Sequence, residues 1–269
     1  MVNKRDLFEL EKFCKEEYKN ADSVIHRWGH VARVAEGARW FVKVKNGSDD
    51  NQRLAYAAGL LHDIVRPITE ERSHSETSAE SAEEILEVFN FHENHISKVS
   101  KAIKDHRKPP DNWESILHQS VYLADKILEH MGAYLDFRAC VWAGELSHTD
   151  YKVLEPIEAV LRYYDEASSK FLDREFPEFT EPIVSYQRQW NRRFHKGLKD
   201  GKPWTEEMAT KLFYKGKEKA DFEETLTNFK TSYPEQKRWK KEMISYIKSD
   251  MDSSIFNMII RKPNSSTKF

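Results

Sequence analysis

Apolar residues return every three or four positions along most of this chain, which places them on single faces of α-helices. Residues Lys4–Lys19 carry Leu7, Phe8, Leu10 and Phe13 on one side, and a second helix from about Asp22 carries His30, Val34, Ala38 and Phe41. The turn Asn46–Asp50 separates it from a third helix, Gln52–Ile64, which stops before Arg66–Pro67 because a residue preceding proline avoids helical geometry. Ser73 and Glu76 fit a capping box opening a helix that buries Ala79, Ala82, Ile85, Leu86 and Phe89. The next helix, about Glu93–Arg107, aligns Ile96, Val99, Ile103 and His106 and ends at Lys108–Pro109–Pro110. A second capping box, Asp111 to Glu114, precedes a helix reaching about Met131 that buries Val121, Ala124, Asp125 and Leu128. Only 9 Gly and 9 Pro interrupt the 269 residues, so the expected fold is all-α.

After Gly132 the pattern stays helical but gains Trp142, Trp190, Trp204 and Trp239 among dense charges, punctuated by Pro156, Pro177, Pro182, Pro203 and Pro234. About five helices are expected there, followed by a frayed tail, Lys262–Phe269. The division is a core at 1–135 and a helical extension at 136–269 that helps to form the substrate pocket.

Charged residues make up 33% of the chain, yet the net charge is only −2, so the two signs are interleaved on solvated faces. This argues against nucleic acid as a partner, even for the basic stretches Arg188–Lys202 and Lys237–Lys241. Cys14 and Cys140 are too few for a disulfide framework or a cysteine-rich zinc site. No apolar run approaches the roughly 20 residues that span a bilayer, and Met1–Asn20 lacks a signal-type apolar stretch. The expectation is a cytoplasmic protein without a membrane partner, for which a homodimer is left open.

Three polar residues that can bind metal, His30, His106 and Asp125, stand on otherwise apolar faces, and His62–Asp63 ends the most apolar helix. One buried histidine on such a face is most often a satisfied core residue. Several within one segment are harder to explain separately, because burying an ion or imidazole without a partner is costly. A shared cation would satisfy them together, and a mixed His/carboxylate set suits Fe, Mn or Zn better than Ca or Mg.

The runs GHVARV around His30, LLHDIVRP around His62–Asp63 and LADKIL around Asp125 together resemble the HD superfamily of metal-dependent phosphohydrolases, over about Asp22–Met131. The resemblance implies a helical bundle in which His30, His62, Asp63 and Asp125 hold a metal. It extends to His74, opening HSETSAESAEEIL, and to His106, closing ISKVSKAIKDH. In six-ligand subfamilies, including bacterial dinucleoside-tetraphosphate hydrolases, histidines at these places hold a second metal, with Asp63's counterpart as the bridge. Two departures are visible: Ser78 stands where a glycine is common, and Arg107 where a threonine is common.

The implied cofactor is one or two divalent transition metals (Mn, Fe, Co or Zn, with Mg admissible), which lower the pKa of bound water from about 15.7 towards 7. The implied activity is hydrolysis of a phosphate ester or anhydride in a nucleotide or other small phosphorylated metabolite. Asp63 and Arg66 are the expected catalytic residues, and Arg66, His26, Lys126 and Arg107 the expected substrate contacts; Arg66, Lys126 and Arg107 are weighed against an ordinary solvated charge, and His26 against a helix N-terminal histidine with no role. Two rival readings remain at this level: a di-iron oxygenase on the same fold, and a regulator that binds a nucleotide without turning it over.

Overall fold

The structure is a computed structural model that describes residues 1–66, 73–107, 110–148, 154–167 and 172–261. Every regular element among them is helical, with thirteen α-helices, α1 to α13. The chain divides into two compact units, one of residues 1–22 and 26–129, the other of residues 23–25 and 130–269.

In the first unit α1 (Lys4–Glu17) starts at Asn3, whose side chain accepts from the Arg5 N–H. A 3₁₀ turn, Val24–His26, precedes α2 (Trp28–Val44), and α3 (Asp49–Leu61) is capped by Ser48 with Asp49 and Asp50 in its first turn. Then come α4 (His74–Val88), α5 (Glu93–Lys104) and α6 (Ile116–Leu123), which runs into a π-helical stretch, Ala124–Glu129. The core side chains Val34, Phe41, Leu54, Leu60, Leu86, Val99 and Ile103 are all fully buried.

Helices α2 and α3 meet where Gly59 lies on Ala35, so closely that a Cβ on Gly59 would stand 2.4 Å from the Ala35 Cα. Gly37 makes a similar approach to the π-helical stretch, facing Ala124 and Leu128. These two contacts draw α2, the end of α3 and the π-helical stretch together, and those are the elements that carry His30, His62 and Asp125.

The second unit comprises α7 (Gly132–Glu145), α8 (Pro156–Ala167), α9 (Glu181–Lys199), α10 (Pro203–Lys217), α11 (Phe222–Asn228), α12 (Pro234–Lys248) and α13 (Ile255–Arg261). Helix α7 is its centre, packing on α8, α9, α10 and α12. Its buried Asp136 accepts hydrogen bonds from Tyr164 of α8, Asn191 of α9 and Trp239 of α12. Trp239 in turn packs against Trp190 and Trp204, with ring centroids 4.7 Å away in each case.

Several expectations about local structure are corrected. Among the described residues seven α-helices, and not about five, follow residue 131. Helix α3 starts earlier than Gln52, since Ser48 caps it, and ends at Leu61. Ser73 is the N-cap residue of α4 but makes no side-chain cap, its hydroxyl pairing with that of Ser75 instead. Asp111–Glu114 is not a capping box: α6 begins at Ile116, where Ser115 accepts from the His118 N–H. Phe8 is exposed, and Ile85 and Phe89 are only half-buried. The stops at Pro67 and at Lys108–Pro109 and the tail Lys262–Phe269 lie outside the described residues.

Candidate metal centre

His62 and His106 are presented in the same way. Each stands just beyond the end of a helix, and each turns its Nδ1 back to the carbonyl three residues earlier, at 2.8 Å to Gly59 and 2.6 Å to Ile103. A carbonyl only accepts, so Nδ1 carries the proton and Nε2 keeps its lone pair. His30, in the first turn of α2, reaches the same state by a different partner, since its Nδ1 lies 2.8 Å from Oε2 of Glu129. Three imidazoles thus offer Nε2 inwards.

Asp63 lies among them. Its Oδ2 faces His62 Nε2 at 3.6 Å and His30 Nε2 at 3.9 Å, and its Oδ1 faces His74 Nε2 at 3.3 Å and His106 Nε2 at 3.8 Å. Asp125 faces His30 from the π-helical stretch, with its Oδ1 3.7 Å from Nε2. Two groups of three donors result, His30–His62–Asp125 and Asp63–His74–His106, each with its ligand atoms within 4.8 Å of one another. The rings of His74 and His106 are 5.4 Å apart, close enough to share an ion. All six side chains are buried.

The donors fit divalent cations. The buried Nε2 of His62 and Oδ1 of Asp63 have no hydrogen-bond partner among the described residues, an arrangement that is costly unless something else satisfies them. Mixed imidazole and carboxylate donors are the set expected for first-row transition metals.

The electrostatics keep these groups in ligating form. Burial alone would raise the Asp63 carboxyl, but Arg66, His62 and His74 hold it well below the usual carboxylate range. Burial, with the neighbouring His62 and Lys126, pushes the His106 imidazolium down, so the ring is neutral near pH 7. Burial would also raise Glu129, yet the Arg33 guanidinium and the His30 ring keep it ionised.

The other expected site residues are distributed unevenly. Arg66 donates to Asp63 Oδ2 at 2.6 Å, and Lys126, itself buried, donates to Asp125 Oδ2 at 2.5 Å. His26 is buried with its ring 5.4 Å from that of His30, although it lies in the 3₁₀ turn before α2 and not on the same helix face. Arg107 is exposed, unlike the residues it was grouped with.

Sequence reasoning missed Glu129 and Arg33. Glu129 is fully buried four residues after Asp125, so one helical segment places a carboxylate against each nitrogen of His30. Arg33, one turn after His30, donates to Glu129 at 2.8 Å. A carboxylate four residues after a proposed ligand, facing a basic residue three after another, was the available signal. His118, for which spacing offers no partner, and Asp105, which reads as a cap or surface residue, form a 2.6 Å pair beside Trp113.

Comparison with known proteins gives two findings. Residues 27–129 match the family model described as HD domain. A Clostridium beijerinckii protein described as uncharacterized is 26% identical over 137 residues, which is 50% of this chain and 78% of that protein. No solved structure matches.

Proposed function

We propose that this chain, whose residues 27–129 match the HD domain, hydrolyses a phosphate ester or anhydride in a nucleotide or other small phosphorylated metabolite. The observation that carries this reading is Asp63, which turns one carboxylate oxygen to the His30–His62 side and the other to the His74–His106 side. That is the geometry of a carboxylate serving two cations. His30, His62 and Asp125 would hold one divalent metal and His74 and His106 a second, with Asp63 between them. Such metals supply Lewis acidity and an activated water near neutral pH.

The protein's own side chains supply the rest. Arg66 and Lys126 bring positive charge to the carboxylates at the centre, where a phosphate would need it. Glu129 orients His30 and fixes its tautomer, as carboxylates behind metal-binding histidines do. His26 stands beside His30, where it could meet a substrate oxygen.

The test is to strip the protein with a chelator, restore Mn, Fe, Co, Zn or Mg separately, and screen nucleotide monoesters, diesters and anhydrides for hydrolysis, with the products separated by chromatography. Hydrolysis that depends on an added ion is expected. Turnover that survives complete stripping would contradict the reading, as would oxygen consumption on an organic substrate by the iron form without any hydrolysis of a phosphate compound.

A further inference from the structure

Leu10, Cys14 and Tyr18 recur every four residues and are all buried. Tyr18 thus carries the inward face of α1 into the 3₁₀ turn Tyr18–Asn20 that follows it. Helix α1 packs on α3, and the end of α3 leads into His62–Asp63. By spacing alone Tyr18 is one more core aromatic. Its ring fills that role, but its hydroxyl does not.

Three polar groups of the metal centre act on the phenol: the Asp63 carboxylate, the Asp63 backbone N–H and the Arg66 guanidinium. None completes a hydrogen bond with it, since the phenol oxygen has no hydrogen-bond partner among the described residues. Two of the three are donors and cannot take the phenol's proton. The carboxylate is not paired with it either. Its Oδ2 receives Arg66 at 2.6 Å, and its Oδ1 has no hydrogen-bond partner among the described residues.

A buried tyrosine usually finds a partner for its hydroxyl. Leaving one without a partner costs stability that a phenylalanine of the same shape would keep. A phenol, with an ordinary pKa of about 10, carries its proton at neutral pH, and burial pushes that of Tyr18 higher still. Tyr18 and Arg66 therefore stand near one another as two donors at the edge of the centre. Phosphate oxygens accept from such groups, and several are presented at once.

Resting on the phosphohydrolase reading above, we propose that Tyr18 is a substrate contact, whose hydroxyl donates to an oxygen of the substrate phosphate on the Asp63 side of the centre, together with Arg66. The hydroxyl then serves binding at the expense of the fold, and one substitution separates the two properties.

The experiment compares the full chain of wild type and Tyr18→Phe in Mn(II). It uses thermal unfolding without phosphate, calorimetric titration with inorganic phosphate, and hydrolysis of nucleotides read by chromatography of the products. Tyr18→Phe should unfold at a temperature no lower than wild type. It should bind phosphate about tenfold more weakly, on the scale of one hydrogen bond to a charged group, and lose a similar factor in kcat/KM. Equal phosphate affinity in the two proteins would overturn the contact, as would a wild type that binds no phosphate. A Tyr18→Phe variant that melts well below wild type would show the hydroxyl to be a structural partner and overturn it as well. Wild type that binds phosphate but hydrolyses no nucleotide would overturn the phosphohydrolase reading instead; the tenfold loss of phosphate affinity in Tyr18→Phe would still uphold the contact.

Discussion

At the scale of single residues, the site depends on which nitrogen of each histidine carries its proton. His62 and His106 settle this with carbonyls of their own helices, whereas His30 depends on Glu129, whose charge Arg33 supports. Glu129→Gln should weaken metal binding by about 10- to 100-fold, the usual cost of losing an outer carboxylate. Competition with a chromogenic chelator measures this, and an unchanged affinity would show that Glu129 only fills space. The six donor residues were legible in the sequence because they are polar residues on apolar stripes or beside one, in an order that resembles a known family. Glu129 was not, because in a chain that is one-third charged a glutamate on a helix looks like any surface glutamate until its partners are known. Ser78 drew notice as a departure, but its hydrogen bonds to Val65 connect residues 13 apart, which no helical pattern reveals.

At the scale of elements, helix periodicity was the strong signal and helix ends were the weak one. Apolar spacing located α1 to α6 because tertiary burial follows that spacing. Ends depend on single capping contacts, and several residue types can make them. Ser48 and Ser115 cap where Gln52 and Asp111 were expected to mark starts. The π-helical stretch Ala124–Glu129 could not be read from spacing at all, since its apolar residues also fit an α-helix. The close approach of α2 and α3 rests on Gly59, where a methyl would meet the α2 backbone at Ala35 and not a side chain able to move aside. Gly59→Ala should therefore cost about 1–3 kcal/mol of stability through overpacking and displace His62 from His30. Urea denaturation checks the first effect and metal affinity the second. A variant as stable as wild type would mean that α2 and α3 are not held this closely.

At the scale of the whole molecule, each unit is organised around buried polar groups, and the two are built differently. The first centres on six potential ligands. The second centres on Asp136, which has no ligand role in this account and whose donors Tyr164, Asn191 and Trp239 come from three other helices. Burial pushes the Asp136 carboxyl up to about 7 despite these hydrogen bonds. A folded value above the unfolded one means that the folded state binds the proton more tightly. The resulting stability is fully present below about pH 4 and is lost as pH rises to about 7, by up to roughly 4 kcal/mol. Thermal unfolding of wild type and Asp136→Asn across that range should show the decline only in wild type; parallel profiles would rule it out. Among the described residues no helix is long and apolar enough to cross a membrane. The central claim, that this is a phosphohydrolase working at the site around Asp63, is tested most directly by hydrolysis of nucleotide substrates in Mn(II), read by chromatography of the products, for wild type and Asp63→Ala, with helical content followed by circular dichroism. The account predicts metal-dependent hydrolysis in wild type and loss of at least about a thousandfold in a folded Asp63→Ala, on the scale of removing a group central to metal-assisted catalysis. Undiminished hydrolysis by folded Asp63→Ala would contradict it.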